Sequence, residues 1–509
     1  MTIEATKAAL ASLLGPDNVL SDEASRQLAG SDFFPWPDRV LPDLVIRPGS
    51  TEETSAAMRT LTEAGHAVVP RGGGLSYTGG AVPHRPGVVA DMSRLDFIDV
   101  RPDDLCAVVG AGCVWQKLVE ALTPLGLKTV INPPTSGVHS MVGGAISQNL
   151  PGGTDGIVGL TIVLADGSVV RTGSWALPHS RPFWRHHGPD LTGIFVGDCG
   201  ALGVKTEIAL RLEAIKPAEF LSFTFPDSTA LMAALLPIQR KGLASRSVIL
   251  DRGLSETAGQ VGVGEAARTV AAVVSQAGSL RQAIRDVAGL GRMRSEVKRQ
   301  SWALHFTVES VTEAGAKGQV EEIRSICSKD GTEIDPAFPK AMRARPFTIR
   351  GGLGPKGERW VPVHGILSLS QAEPCVKAIE ARLEARASEL ETAGIRVSWL
   401  MSTLGPYLLI EPMIYWRDEL GPVHRQYFSE SQLQRYGLYP LNEAARETVL
   451  SLRRDLRDTM DGFGAVHVQI GRFYKLAEAL DEGSLAFLKR IKSVLDPQNR
   501  MNPGSLGLG

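Results

Sequence analysis

The chain has 509 residues, too many for one ordinary hydrophobic core, so two or more domains are expected. Hydrophobic residues make up 43% and charged residues 21%, the balance of a globular protein. The formal net charge of −1 lacks the basic excess that nucleic acid or an anionic membrane would demand of a main partner.

The five cysteines, Cys106, Cys113, Cys199, Cys327 and Cys375, are dispersed and form no CxxC pair, so neither a disulfide framework nor a metal site is expected. Met1 to Leu14 carries Glu4 and an amphipathic pattern, unlike a signal peptide, and no run of 18 apolar residues suggests a membrane span. A cytoplasmic location is the expectation.

In chain order, Leu44-Val45-Ile46 predicts a strand, and Ser50-Thr51-Glu52-Glu53 a capping box opening a helix that ends near Gly65. His66 to Val69 is a second strand, leading into residues 70–81, PRGGGLSYTGGA. Five glycines in nine residues leave the backbone bare and free to adopt positive φ. Successive exposed N–H groups in such a loop make a concave anion site suited to a pyrophosphate. It is neither a Walker loop nor a GxGxxG fingerprint, and taken alone it could be an ordinary turn.

Strands follow at 87–92 and 106–112, then a helix from about Val114 to Leu122 with Gly126 as its stop. A second glycine cluster comes at residues 133–137 (PPTSG) and 142–149 (VGGAISQN), where Gly143 and Gly144 allow close approach to a flat ligand and Ser147 and Asn149 offer hydrogen bonds. A hairpin over 160–171 turns at Asp166-Gly167. The third cluster, residues 188–204, runs GPDLTGIFVGDCGALGV into a strand over 205–212. One such cluster is a turn; three in order make a site.

Beyond Lys216 glycine thins out, and strands are expected at 303–308, 360–366 and 408–416. Amphipathic helices are expected at 374–394 and 442–460, the latter capped by Asn442.

The three clusters, the 88–95 strand (VVADMSRL), LADGSVVRTG at 164–173 and the closing IKSVLDPQNRMNPGSLGL at 491–508 resemble the FAD-binding domain of the vanillyl-alcohol oxidase / p-cresol methylhydroxylase superfamily. The superfamily includes D-lactate dehydrogenase and glycolate oxidase relatives. The resemblance implies an α+β chain: a two-subdomain FAD-binding domain of the p-cresol methylhydroxylase (PCMH) type over 1–215, a mixed-sheet cap over 216–460, and a C-terminal return to the FAD domain over 461–509.

It also implies FAD held by Pro70, Arg71, Gly72, Gly73, Gly74, Leu75, Ser76, Gly79, Pro134, Thr135, Ser136, Val142, Gly143, Gly144, Ser147, Asn149, Gly197, Gly200, Gly203, Val204 and Asn502. No histidine lies within residues 70–81, and Glu411 stands where a linking histidine occurs in vanillyl-alcohol oxidase-like members, so non-covalent FAD is expected.

The function implied is flavin-dependent oxidation of a small hydroxylated substrate, with a 2-hydroxy acid such as D-lactate first. An aromatic alcohol is the alternative, and a flavin-carrying subunit acting through a partner is the rival. The acceptor is oxygen, a cytochrome or a quinone, and a homodimer is admitted. Phenol-oxidising members bind phenolate through a tyrosine–arginine pair where this chain aligns Val466 and His467, which speaks against that mode. The HxGDGNxH metal motif of D-2-hydroxy-acid members is missing too.

Catalytic candidates come from residues 464–475. Val466, Val468 and Ile470 alternate with His467 and Gln469, predicting a half-buried strand that presents His467 as a base, with Arg472 to hold an anion and Tyr474 beside it. His364 and Glu411 are further candidates for the pocket. A structural histidine and an arginine in a structural ion pair are the plain alternatives for His467 and Arg472.

Overall fold

A computed structural model of the chain describes residues 2–150, 152, 154–258, 302–347, 353–403, 405–436 and 438–508. Two units divide them: Met1–Ile215, Leu420–Arg435 and Val468–Gly509 form the first, and Lys216–Glu419 with Tyr436–His467 form the second.

The first unit holds two sheets. In the first sheet, β1 (Val19–Leu20), β2 (Leu44–Ile46), β3 (Ala67–Arg71) and β4 (Gly87–Asp91) lie in the order β1-β2-β4-β3. β2 and β3 both run parallel to β4, as a helical crossover allows. That crossover is the helix Thr51–Glu63, which buries Thr54, Ala57, Met58 and Leu61 on one face. Its capping is mutual: the Glu53 amide donates to Ser50 Oγ at 3.1 Å, and the Gly49 amide donates to the Glu53 carboxylate at 2.7 Å. β3 therefore delivers the chain to Gly72 from a fixed, buried strand.

The second sheet contains β5 (Ile98–Arg101), β6 (Cys106–Gly110), β7 (Leu127–Thr129), β8 (Ile157–Val163), β9 (Val169–Arg171) and β10 (Val204–Ala214). Its order is β5-β6-β10-β8-β9, with β7 also on β10. β8 is buried along its whole length, which suits a run that is apolar except for Thr161, whose hydroxyl donates to the Glu207 carboxylate at 2.8 Å. The β8–β9 turn has Gly167 at φ +82°, where Asp166 accepts from the Ser168 amide at 2.8 Å.

The second unit is built on β11 (Ala218–Phe225), β12 (Arg246–Asp251), β13 (Trp302–Glu309), β14 (Thr332–Ile334), β15 (Arg359–Pro362), β16 (Gly365–Ser368), β17 (Arg396–Thr403) and β18 (Tyr407–Trp416). They lie in the order β14-β11-β13-β12-β17-β18-β15, with β16 also on β18. The sequence predicts a mixed sheet here, yet among the described residues every pairing is antiparallel, because each excursion returns the chain to run against its neighbour.

The single strand expected at 360–366 is two. Pro362 has no amide to donate, and β15 and β16 pair with successive stretches of β18 on either side of Val363-His364. The helix expected from Pro374 begins at Leu369 and ends at Ala385, with a separate helix Ala387–Thr392 after it. Pro374 removes one helical hydrogen bond, and burial of Ala372, Cys375, Val376 and Ile379 offsets that loss. Helix Glu443–Asp461 starts at Asn442, whose side chain accepts from the Ala445 amide at 3.1 Å. No helix among the described residues is long and apolar enough to cross a membrane.

Candidate functional site

The amides of Gly72, Gly73, Gly74, Leu75 and Ser76 donate to no acceptor among the described residues. Gly74 and Gly79 take φ of +68° and +75°, which turns the loop back on itself. Just inside it lies the buried Arg71, its Nη1 donating to the carbonyls of Ser31 at 2.7 Å and Ala29 at 3.3 Å. A Cβ on Gly74 would collide with that guanidinium. The loop ends on Asp32, which accepts from the Gly79 amide at 2.9 Å and from Trp36 Nε1 at 3.1 Å. Bare amides on glycines without side chains of their own, with a buried positive charge beside them, are what a pyrophosphate requires, so these residues fit the phosphates of FAD.

The other clusters converge on this loop within the same unit. A Cβ on Gly72 would lie 3.7 Å from the Gly144 Cα, and nothing lies within 4 Å of the corresponding point on Gly144. The Gly197 amide donates to Ile146 O at 3.0 Å and the Cys199 amide to Ser147 O at 2.9 Å. Gly197, Cys199 and Gly200 all have positive φ, and a Cβ on Gly200 would touch Pro70.

Asn502 ties first cluster to third: its Nδ2 donates to Gly80 O at 2.7 Å and Cys199 O at 2.6 Å, and its amide donates to Val68 O at 2.8 Å. Pro134 and Ser136 shape a turn, their carbonyls accepting from Gly137 and His139. Gly203 and Val204 lead into the sheet: Gly203 leaves room for Ile162, and Val204 pairs with Val163.

The catalytic candidates fall into different units. Residues 464–471 form no strand; Val466 makes a single bridge to Ile366, and Gln469 and Gly471 turn the chain with φ of +52° and +55°. The predicted alternation fails at its start, with Val466 62% exposed and the His467 ring turned inward, although Val468 is buried as expected. Two contacts override the pattern. His467 Nδ1 meets the His364 carbonyl at 2.7 Å, and Nε2 meets the Asp461 carboxylate at 2.6 Å. Both ring nitrogens are thus engaged within the protein, and neither is left open to a substrate.

His364 is itself buried, and burial together with the His467 charge pushes it down to about 3. Glu411 is half-buried on β18 opposite Leu400, and burial lifts its carboxyl from 4.5 to about 7. Arg472 belongs to the first unit, with Nε 3.4 Å from Gly79 O and Nη1 2.8 Å from His84 Nδ1. Its Nη2 is buried without a partner among the described residues. Tyr474 is buried against Phe473 at 4.9 Å.

Sequence reasoning missed Asp32, Tyr427 and His139. Asp32 was detectable as the acidic member of an aromatic stretch, DFFPW at 32–36. Tyr427, whose hydroxyl donates to Gly73 O at 2.5 Å across 354 residues of sequence, has no local signal.

With this geometry in place, comparisons identify the class. The family model for an FAD binding domain matches residues 42–173, and that for the FAD linked oxidases, C-terminal domain, matches residues 462–506. The solved structure of p-cresol methylhydroxylase with substrate bound aligns over 99% of this chain and 96% of its own, with a TM-score of 0.74 at 16% identity. The 4-ethylphenol oxidase from Gulosibacter chungangensis aligns over 99% and 97%, with a TM-score of 0.72 at 19% identity. The fold is that of a PCMH-type flavoprotein.

Among curated proteins, the glycolate oxidase subunit GlcD of Bacillus subtilis is 30% identical over 221 residues, 42% of this chain and 45% of that protein. The mitochondrial D-lactate dehydrogenase (cytochrome) of Arabidopsis thaliana is 32% identical over 209 residues, 39% of this chain and 35% of that protein. The match thus spans less than half the length of these relatives. Residues 42–173 and 462–506 thus match the two domains of FAD-linked oxidases, and the cofactor is FAD.

Proposed function

We propose that this flavoenzyme oxidises a small hydroxylated substrate at its CH–OH carbon, with a 2-hydroxy acid such as D-lactate first among them. The supporting observation is that relatives at 30% and 32% identity are a glycolate oxidase subunit and a D-lactate dehydrogenase. Bound FAD supplies the hydride acceptor, at flavin N5. The glycine loop binds the cofactor's phosphates through its open amides, and the FAD is held without a covalent link.

Glu411 takes the hydroxyl proton. Its carboxyl has no hydrogen-bond partner among the described residues, and an acid held near 7 suits proton transfer at neutral pH. Arg472 offers an unpartnered guanidinium N–H to an anion.

The test is anaerobic mixing of the purified yellow protein with panels of 2-hydroxy acids and of aromatic alcohols. Bleaching of the flavin by D-lactate or glycolate is expected. Bleaching by benzylic alcohols alone would move the substrate to the aromatic class, and none by any hydroxylated compound would overturn the CH–OH assignment. A second reading, a flavin-carrying subunit, draws support from the relative that is itself a subunit. Turnover by the isolated chain with an artificial dye acceptor would exclude it.

A further inference from the structure

We infer that Tyr427 is a cofactor-positioning residue: its hydroxyl holds the Gly73–Gly74 peptide so that the Gly74 N–H is presented to the phosphate side of the glycine loop. The inference rests on the reading that this loop binds the FAD pyrophosphate. Tyr427 closes the short helix Pro422–Tyr427, in a stretch of the first unit that lies outside both family-matched regions.

The geometry is a matter of one peptide plane. In a planar trans peptide the C=O and the following N–H point in opposite directions. Tyr427 Oη donates to Gly73 O at 2.5 Å, so the Gly74 N–H is committed to the other side. Without that bond a Gly-Gly peptide rotates at little cost, since neither residue has a Cβ to bias it. Gly74 sits at φ +68°, and its amide is one of the five with no acceptor among the described residues.

The tyrosine is held in turn. Its ring stacks on His139 with centroids 4.4 Å apart and planes 28° from parallel. The His139 carbonyl also crowds Gly73, 2.7 Å from where a Cβ there would lie. One turn earlier in the helix, His424 meets Phe33 edge-on at 4.7 Å, and the Phe33 amide donates to Ser76 O at 2.9 Å, on the same loop. Burial raises the Tyr427 phenol, outweighing the opposing charge of Arg71, which keeps the hydroxyl protonated as a donor. Burial lowers His139, keeping the stacked ring neutral.

The experiment removes FAD and titrates it back into the wild-type, Tyr427→Phe, His139→Ala and Gly74→Val apoproteins, following flavin fluorescence, dissociation rate and apoprotein melting temperature. Tyr427→Phe keeps the ring and loses one hydrogen bond, so about a 3- to 10-fold weaker Kd with faster dissociation is expected. His139→Ala leaves the hydroxyl but releases the ring, and should weaken binding in the same direction. A tyrosine that only braces the fold would lower the apoprotein melting temperature and leave FAD dissociation as it was.

Unchanged Kd and dissociation in Tyr427→Phe, with Gly74→Val losing FAD, would overturn the role of Tyr427 alone. Full FAD binding by Gly74→Val would instead remove the loop reading beneath it. Should Tyr427→Phe fail to fold, unchanged FAD binding by His139→Ala would overturn the inference.

Discussion

Arg71 and Gly74 share one space: the Arg71 guanidinium fills the position that a side chain on residue 74 would take, with Nη1 2.7 Å from the Ser31 carbonyl. The pair explains how a loop without side chains acquires positive charge. The arginine comes from the end of β3, passes beside the glycine, and is anchored on Ala29 and Ser31.

Gly74→Val should therefore yield folded but colourless protein. Valine is strained at φ +68° by roughly 1–2 kcal/mol and must also displace Arg71. Flavin absorbance per mole of protein after gel filtration should fall at least about tenfold, one factor of ten for each ~1.4 kcal/mol lost. Retention of FAD at wild-type stoichiometry would show that the loop is a turn and nothing more.

Acid precipitation should release unmodified FAD into the supernatant. The two histidines flanking the loop are engaged elsewhere, His66 Nε2 with Thr6 Oγ1 at 3.1 Å and His84 Nδ1 with Arg472 at 2.8 Å. Flavin fluorescence migrating with the denatured chain on a gel would contradict this.

Glu411 makes a pH prediction with a definite sign. Its folded pKa of about 7 lies above the ordinary 4.5, so between those values the folded chain binds more protons than the unfolded one. Its contribution to stability is fully present below about 4.5 and is lost as pH rises through about 7. Urea unfolding of Glu411→Gln should lack that loss. If Glu411 accepts the substrate proton, flavin reduction in the wild type should accelerate as pH rises through about 7. The glutamine variant should then be slower by about 10²–10⁴-fold. Equal rates in the two proteins would remove Glu411 from the chemistry.

Lys492→Met tests the closing turn. Lys492 Nζ donates to Ala201 O at 2.8 Å, Met501 O at 2.8 Å and the Asp496 carboxylate at 2.6 Å, all buried. Removing one partner of such a pair costs about 3–5 kcal/mol, because the Asp496 charge stays buried without its cation. The midpoint of urea unfolding should drop accordingly, and FAD should leave faster, since Asn502 follows Met501 directly. An unchanged midpoint would mean that the turn is held by Asp496 and its backbone partners instead.

What could be read locally was read well. The capping box at Ser50 and Glu53, the Asn442 cap and the Asp166-Gly167 turn each depend on residues two to four apart, and each is present. The strand predicted through His467 failed for a physical reason. Alternation reports a bias in burial, and at Val466 that bias is outweighed by hydrogen bonds to His364 and Asp461 that turn the histidine inward. Pro362 likewise marked a break in the strand over 360–366, a signal that the apolar run around it obscured.

The sequence by itself determined the three glycine clusters, their order and the strands that feed them, because positive φ and bare amides are properties of the residue and its immediate neighbours. The tertiary structure alone decided which groups those clusters meet: Arg71 beside Gly74, Asp32 on Gly79, Asn502 across Gly80 and Cys199, and Tyr427 on Gly73. Those contacts join residues tens to hundreds of positions apart, except for Arg71, whose direction is set by carbonyls at Ala29 and Ser31. No local pattern encodes such a pairing; it exists only once the sheets have brought the segments together and water has been excluded from between them.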